Sequence, residues 1–527
     1  MVVGLHARHV VGLHVPHGSP GLLTLAALGL GLLGAGCAAT ETTAATSAAT
    51  STVGGAGGAA GGTTSSTTGG SAGQAGAGGQ GGGWPEPGAW RVETRRLLDP
   101  YGRQATLHGL NMAGSHKADG GNDYLGAETA EFYQLLHDAG FRALRFVTTW
   151  AAVMPSEGTV DTAYLDALEQ HLQWAEDAGL VVILDMHQDL YGEGFTMPGW
   201  GYTIGDGAPV WSCPNDHQLS SQQSTWFLYY LDPAVAGCFD NFWNDGATQA
   251  YFVQAWTALG ERLAQHPGVI GVDPLNEPGW GSLLNELSYE NEHMVPLYGA
   301  VVAAVRAVRP ELIAFVEPGA RKNVTGTTTM SSLPFGNAAY APHMYSATME
   351  AGGQYVPSSH YAAFQNMLTT DRAEADTLDA ALLIGEWGSG ISDDANLALF
   401  VGDISGLLDA SAISWTLWEA GPGGGYCLTS SLDTFKPWSS ALGSPYPERV
   451  NGTGLAYGYD PATATLTLDF VAGDHAQLPT LLAVPTSFGA PTLTSSTNVA
   501  ALEPAGTGEL ALYAENANAA VHATIVW

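Results

Sequence analysis

The stretch Val269-Ile-Gly-Val-Asp-Pro-Leu-Asn276-Glu277-Pro278 reads as a short apolar strand that runs straight into an amide and a carboxylate. Similar apolar runs recur at 105–111, 143–149, 180–187, 311–317, 339–345, 381–387 and 412–418. Between them the spacing of apolar residues turns helical. Residues 126–139 place Phe132, Leu135, Leu136 and Ala139 on one face, and residues 161–178 do the same with Leu165, Leu168, Leu172 and Ala175. Near-continuous apolar strands alternating with amphipathic helices imply a parallel sheet covered on its outer face. Eight such repeats predict an α/β fold, a (β/α)8 TIM barrel. The runs end in His108 and Asn111, Arg145, Asp185 and His187, Asn276 and Glu277, Glu317, His343 and Tyr345, Glu386, and Trp418. Strand C-termini are where barrel enzymes keep their chemistry, and a purely structural strand has no reason to end repeatedly in ionisable groups.

Beyond about residue 448 the period changes to two. Leu466, Leu468 and Phe470 alternate with Thr465, Thr467 and Asp469, and Val521–Trp527 alternates again. Residues 449–527 are expected to form a small C-terminal antiparallel β-sandwich domain beside a catalytic barrel over 84–448. From Gln188 to about Asp245 no regular element is evident. The segment is dense in aromatics, including Trp200, Trp211, Trp226, Phe239 and Trp243. A long irregular insertion in a compact domain is usually functional. It reads equally as a self-packed lid or as the lining of an apolar groove.

The chain has 527 residues, with 16 Lys and Arg against 50 Asp and Glu, a formal net charge of −34. That argues against nucleic-acid binding, which needs clustered cations, and against a polybasic membrane-surface module. Residues 1–37 read as an export signal: the apolar run 21–36 is too short to span a bilayer and ends in small residues before Cys37. The end resembles the lipobox of bacterial lipoproteins, although Gly34 stands where leucine is usual. A membrane tether through Cys37 is one reading and simple secretion the other, so the chain is expected to be secreted or lipid-anchored at the bacterial cell envelope. Residues 38–83 are almost wholly Ala, Thr, Ser, Gly and Gln, the composition of a linker. Cys213 and Cys238 share the insertion and are candidates to pair in an oxidising compartment. No Cys or His spacing suggests zinc.

Two carboxylates carry the expected chemistry. Glu277 ends the fourth run, and Glu386, in Ile384-Gly-Glu-Trp-Gly388, ends the seventh. Only a barrel brings them together. Cleavage of a glycosidic bond needs one carboxyl to protonate the leaving oxygen and another below the anomeric carbon. Glu317 reads as structural rather than as a third catalyst. Asp185, His187 and Asp189 could make a metal set, but no fourth ligand is evident.

These motifs resemble glycoside hydrolase family 5, of the retaining (β/α)8 class: Asn276-Glu-Pro, Gly385-Glu-Trp, Arg145 on the second strand and His343-Met-Tyr345 on the sixth. Within that family the likeness is to endoglycoceramidases (endoglycosylceramidases). The segments that carry it are Asn111–Lys117, Asp185-Met-His-Gln-Asp189, Gly207-Ala-Pro-Val-Trp211 and Pro445-Tyr-Pro447. The resemblance implies Glu386 as nucleophile and Glu277 as general acid/base, with Glu277 raised in pKa so that it starts protonated. It implies that Asn276 holds a sugar 2-hydroxyl, that His343 and Tyr345 orient the nucleophile, and that Arg145 braces it by charge. Lys117, His187, Asp189 and Trp418 would contact sugar hydroxyls or stack on the ring, although Trp415 competes with Trp418 as the platform. Ala118–Gly121 departs from the Pro-Tyr usual after the lysine. The implied substrate is a glycolipid or oligosaccharide, cut between glycan and ceramide by a monomer that needs no metal or organic cofactor. The alternatives are a β-glucanase or β-glucosidase acting on other glucans or lipid glycosides, and an inactive glycan- or lipid-binding lipoprotein.

Overall fold

The computed structural model describes residues 85–117, 124–223, 226–283 and 287–527. Cys37, the export signal and the 38–83 linker lie outside the described residues, as does the departure at Ala118–Gly121. The eight apolar runs form a closed parallel barrel. Its strands are β1 (His108–Met112), β2 (Ala143–Thr149), β3 (Val181–His187), β4 (Val269–Asp273), β5 (Ile313–Val316), β6 (Ala338–Tyr340, resuming as His343–Met344), β7 (Ala381–Trp387) and β8 (Ser414–Leu417). Each pairs in parallel with the next, and β8 pairs back onto β1.

Alternation along the strands sorts the core into two layers. Leu107, Ile183, Ile270, Phe315 and Leu383 pack together in one cluster. Leu144, Phe146, Val182 and Leu184 belong to a second, with Phe132 and Leu136 of helix Ala130–Asp138 and Leu165, Leu168 and Leu172 of helix Thr162–Asp177. The second helix starts where Asp161 accepts from the backbone N–H of Ala163 and Tyr164, satisfying two otherwise orphaned donors. Gly271 is required by close approach: a Cβ there would fall 2.4 Å from the Ile313 carbonyl oxygen and 2.5 Å from the Phe315 ring.

The register sets the chemistry at one level. Asn111 stands opposite Arg145, Asp185 opposite Asp273, and His343 opposite Glu386. Parallel pairing therefore aims these side chains from neighbouring strands at one end of the barrel.

The sandwich differs from expectation in where it begins. One of its sheets includes Arg91–Glu93, Arg96–Leu98 and Gln104–Ala105 together with Tyr446–Val450, Thr480–Ala483, Glu509–Ala514 and Val499–Gly506. The expected division at 448/449 therefore cuts through a strand, and residues 104–105 belong to this sheet rather than to β1. The facing sheet joins Gly452–Asp460, Thr465–Ala472, Ala520–Val526 and Thr492–Thr497. Leu466, Leu468 and Ile525 of one sheet pack on Tyr446, Leu482 and Leu512 of the other. Buried Arg142 links sandwich to barrel, donating to Glu448 at 3.2 Å and to the Gly508 carbonyl at 2.6 Å.

The insertion is more ordered than its sequence suggested. It contains a helix, Pro233–Asn244, capped by Asp232 and burying Val235, Cys238, Phe239, Phe242 and Trp243. Most of its aromatics pack on one another, while Tyr202 and Trp226 remain exposed. A Cys213–Cys238 disulfide ties the preceding loop to this helix across a sequence separation of 25. Closing a loop of that length stabilises a fold by about 2–4 kcal/mol. The double variant C213S/C238S is expected to lose that amount, read as a lower urea midpoint; an unchanged midpoint would show that the cross-link contributes nothing.

Candidate active site

All ten residues singled out in the sequence meet at the C-terminal end of the barrel, in two adjoining groups. The first centres on Arg145, which is buried. Its Nη1 donates to Glu386 Oε1 at 2.8 Å and to Asn111 Oδ1 at 3.0 Å, and its Nε donates to Asp273 Oδ2 at 3.1 Å. Its Nη2 donates to Glu317 Oε1 at 2.6 Å and to Asn276 Oδ1 at 2.9 Å, and lies 3.0 Å from Asp185 Oδ1. One guanidinium thus faces four carboxylates. Burial, then the charge of Glu317, pushes the Asp273 carboxyl well above the usual range against the opposing pull of Arg145.

Glu386 receives a second bond from the Tyr345 hydroxyl, at 2.9 Å. Burial and the charge of Glu386 raise the Tyr345 phenol well above its ordinary value, keeping it a neutral donor. His343 stands between the two candidate catalysts. Its Nδ1 lies 2.8 Å from Glu277 Oε1 and 3.5 Å from Glu386 Oε2, and its Nε2 lies 3.1 Å from Glu317 Oε1. Burial opposes charge on this imidazole, but the carboxylates of Glu317 and Glu386 and the bond to Glu277 outweigh it. The pKa of His343 is raised well above 6.5.

Both carboxylate oxygens lie within reach of one nitrogen. The two carboxyls thus flank a single imidazole nitrogen, a close approach in keeping with the roughly 5–5.5 Å separation of retaining glycosidases. The spacing fits the retaining class, in which one carboxyl attacks the anomeric carbon directly.

The backbone at Glu277 has φ 36°, a left-handed conformation uncommon for a residue with a Cβ. The surroundings fix it. Its N–H donates to Glu317 Oε2 at 2.8 Å, and Gln188 Nε2 donates to the carbonyls of Asn276 and Glu277 at 2.8 and 2.7 Å. The expected rise in the Glu277 pKa is not what the geometry gives. Burial does raise it, but the bond and charge of His343, with a bond from Asn323 Nδ2 at 3.0 Å, hold it below the usual carboxylate value.

The second group lines the cleft beside the first. Asp185 joins the two, since its Oδ2 is 2.8 Å from His187 Nδ1. His187 Nε2 lies 3.6 Å from Asp189 Oδ2, and its ring stacks on Trp418 at 5.3 Å. Lys117 Nζ pairs with Asp189, lies 3.5 Å from Asp206 Oδ2 and sits 5.1 Å over the Trp418 ring. Trp415 is buried against His108 and Trp387, so Trp418 is the strand-eight tryptophan that faces the site. The Lys117 ammonium lies between Asp189 and Asp206, where a cation bound to the His187, Asp189 and Asp206 set would have to sit.

Sequence reasoning missed four contributors. Gln188 lies inside the Asp185–Asp189 motif, so its position was signalled although its clamp on the Asn276-Glu277 turn was not. Asp273 belongs to the fourth run. Asp206 comes from a loop and Asn323 from the one-turn helix Lys322–Thr325, both too short or irregular to show a period. Burial and the charge of Asp189 raise Asp206 to about 7 despite Lys117.

A family model for cellulase, glycosyl hydrolase family 5, matches residues 98–424. Endoglycoceramidase I of Rhodococcus hoagii is 28% identical over 363 residues, covering 63% of this chain and 68% of that protein. Endoglycoceramidase of Cyanea nozakii is 25% identical over 423 residues, covering 72% and 80%. A structure of endo-glycoceramidase II from Rhodococcus sp., captured as its lactosyl-enzyme intermediate, superposes with a TM-score of 0.70 at 25% identity. The superposition covers 84% of this chain and 99% of that one.

Burial and the Lys117 charge oppose protonation of His187, but the charge of Asp185 and the bonds to Asp185 and Asp189 win, raising it to about 10. An unfolded imidazole titrates near 6.5. The resulting stabilisation is complete below about pH 6.5 and is lost as pH rises towards 10. The unfolding free energy of the protein is expected to fall across that window more steeply than that of His187→Gln. Parallel curves for the two proteins would contradict this assignment.

Proposed function

The chain belongs to glycosyl hydrolase family 5, and from that premise we propose that it is a retaining β-glycosidase that cuts glycosphingolipids between glycan and ceramide. The observation that carries the mechanism is the single His343 nitrogen within reach of both Glu277 and Glu386. The substrate reading rests on relatives named endoglycoceramidases, whose similarity runs through most of their length.

In the proposed reaction Glu386 Oε2 attacks the anomeric carbon while Glu277 protonates the ceramide oxygen. Arg145 and Tyr345 hold the two oxygens of Glu386 and so fix its direction of attack. The low pKa of Glu277 makes His343 part of the acid. The charged imidazole and the carboxylate share one proton across 2.8 Å, and moving it onto Glu277 produces the general acid without drawing a proton from bulk water. Such a pair titrates as a unit. After the ceramide leaves, Glu277 takes a proton from the water that hydrolyses the glycosyl-enzyme. Asn276, held by Arg145, would receive the sugar 2-hydroxyl. Lys117, His187, Asp189 and Trp418 would bind the glycan. On sequence grounds the enzyme is exported, with Cys37 as a lipid anchor and residues 38–83 as tether.

A fluorescent-acyl glycosphingolipid compared with soluble β-glucan and aryl β-glycosides tests the substrate. Release of free ceramide is expected; glucan cleavage without ceramide release would overturn the reading. Glu386→Gln is expected to abolish turnover, and Glu277→Gln to lower it by roughly 10²–10⁴-fold. Asn323→Ala removes a bond that favours the Glu277 carboxylate, so Glu277 should stay protonated to higher pH. The alkaline limb of kcat/KM is then expected to move up in pH; a downward move would contradict the proton-sharing pair.

A further inference from the structure

A further cluster of side chains able to ligate a metal lies apart from the catalytic carboxylates. His116 lies in the turn Gly114–Lys117 that follows β1, Glu128 just ahead of helix Ala130–Asp138, and His171 on helix Thr162–Asp177. They are 1%, 7% and 6% exposed. One donor atom from each lies within 4.8 Å of the others.

His116 and Glu128 make a long, weak contact that also suits two ligands of one ion. His116 Nε2 is 3.4 Å from Glu128 Oε2, long for a charge-assisted hydrogen bond, which spans about 2.7–2.9 Å. It matches the separation of two ligands of one ion, because donors about 2.1 Å from a tetrahedral centre lie about 3.4 Å apart. His116 Nδ1 has no hydrogen-bond partner among the described residues, so no second bond sets that ring. His171 has the outer bond that metal-bound imidazoles keep: its Nδ1 is 2.8 Å from the Tyr133 hydroxyl. Such a bond leaves Nε2 for the ion and fixes the ring's direction. The rings of Phe146 and Trp174 pack beside His116 and His171 at 4.8 and 5.0 Å. In that apolar surrounding the Glu128 carboxylate supplies charge to offset a cation.

We propose that His116, Glu128 and His171 bind a divalent transition-metal ion. Two imidazoles and one carboxylate suit Zn²⁺, with water in the fourth position. The ligands come from a turn, a helix approach and a neighbouring helix, so the ion cross-links three elements. It thereby fixes the turn whose last residue, Lys117, reaches into the cleft. The role is structural and independent of the substrate.

The full chain, produced with Zn²⁺ in the medium and dialysed exhaustively, is analysed for bound metal. One equivalent of zinc per chain is expected, removable by a strong chelator with a fall in thermal midpoint. The Co²⁺-exchanged protein should show the intense visible absorption of a tetrahedral site. His171→Gln and Glu128→Gln should each lose the bound zinc and the Zn²⁺-dependent rise in midpoint. Zinc at background level in the wild type overturns the proposal. So does zinc retained in folded His171→Gln, which would place the ion elsewhere. Should both variants fail to fold, the wild-type Co²⁺ spectrum decides: weak octahedral absorption or none overturns the site.

Discussion

A single buried guanidinium organises this protein's chemistry. Arg145 comes from the middle of β2 and contacts groups on five other strands or strand ends, including Asp185, Asp273, Glu317 and Glu386. Burying charge is costly unless it is paired and hydrogen-bonded, and removing one partner from a buried pair typically costs 3–5 kcal/mol. Here one cation meets four acids, so the balance of charge in the cluster favours proton uptake. The Asp273 carboxyl is pushed upward by burial and by Glu317, and, against burial, the His343 imidazole is pushed upward by Glu317, Glu386 and its bond to Glu277. The candidate nucleophile, the candidate acid/base and the strand ends that carry them are one electrostatic unit. The reacting pair is therefore held by a charge balance that reaches through the barrel core.

The same constraint shows in how the chain uses its few cations. A net charge of −34 leaves little positive charge to distribute, and two of the three lysines are committed to ion pairs near the barrel. Lys117 pairs with Asp189 in the cleft, and buried Lys322 lies 2.8 Å from Asp371 and 2.6 Å from Glu374. Acid-lined clefts need such local cations, because burial alone would protonate the carboxylates. Asp206, raised to about 7 even beside Lys117, shows how close that limit is.

Much of this was legible in the sequence because a parallel barrel writes itself plainly: each strand is a continuous apolar run, and each ends in its functional group. Strand register then determined which side chains met, so His343 beside Glu386 followed from the fold. What escaped the reading lacked a period. The two- and three-residue strands between Arg91 and Ala105 are too short to show one, and they join a sheet assembled from both ends of the folded chain. Helix Pro233–Asn244 did carry a signal, in its Asp232 cap, the following proline and the 3–4 spacing of Val235, Cys238, Phe239 and Phe242, but the density of aromatics obscured it. Asp206 reaches the site from a loop and Asn323 from the one-turn helix Lys322–Thr325. The acidity of Glu277 was misjudged because burial was visible in principle, whereas an imidazolium within 2.8 Å of it was not. The His116, Glu128 and His171 trio escaped for a related reason, since its donors lie too far apart in the chain to form a spacing motif.

The central claim is that Glu386 and Glu277 act as a closely spaced retaining pair under the charge of Arg145 and His343. Proton NMR of the sugar released in the first minutes of hydrolysis tests this most directly, before mutarotation scrambles the anomers. The β-anomer is expected as the first product of a β-linked substrate; an α-anomer appearing first would mean inversion and would contradict the account.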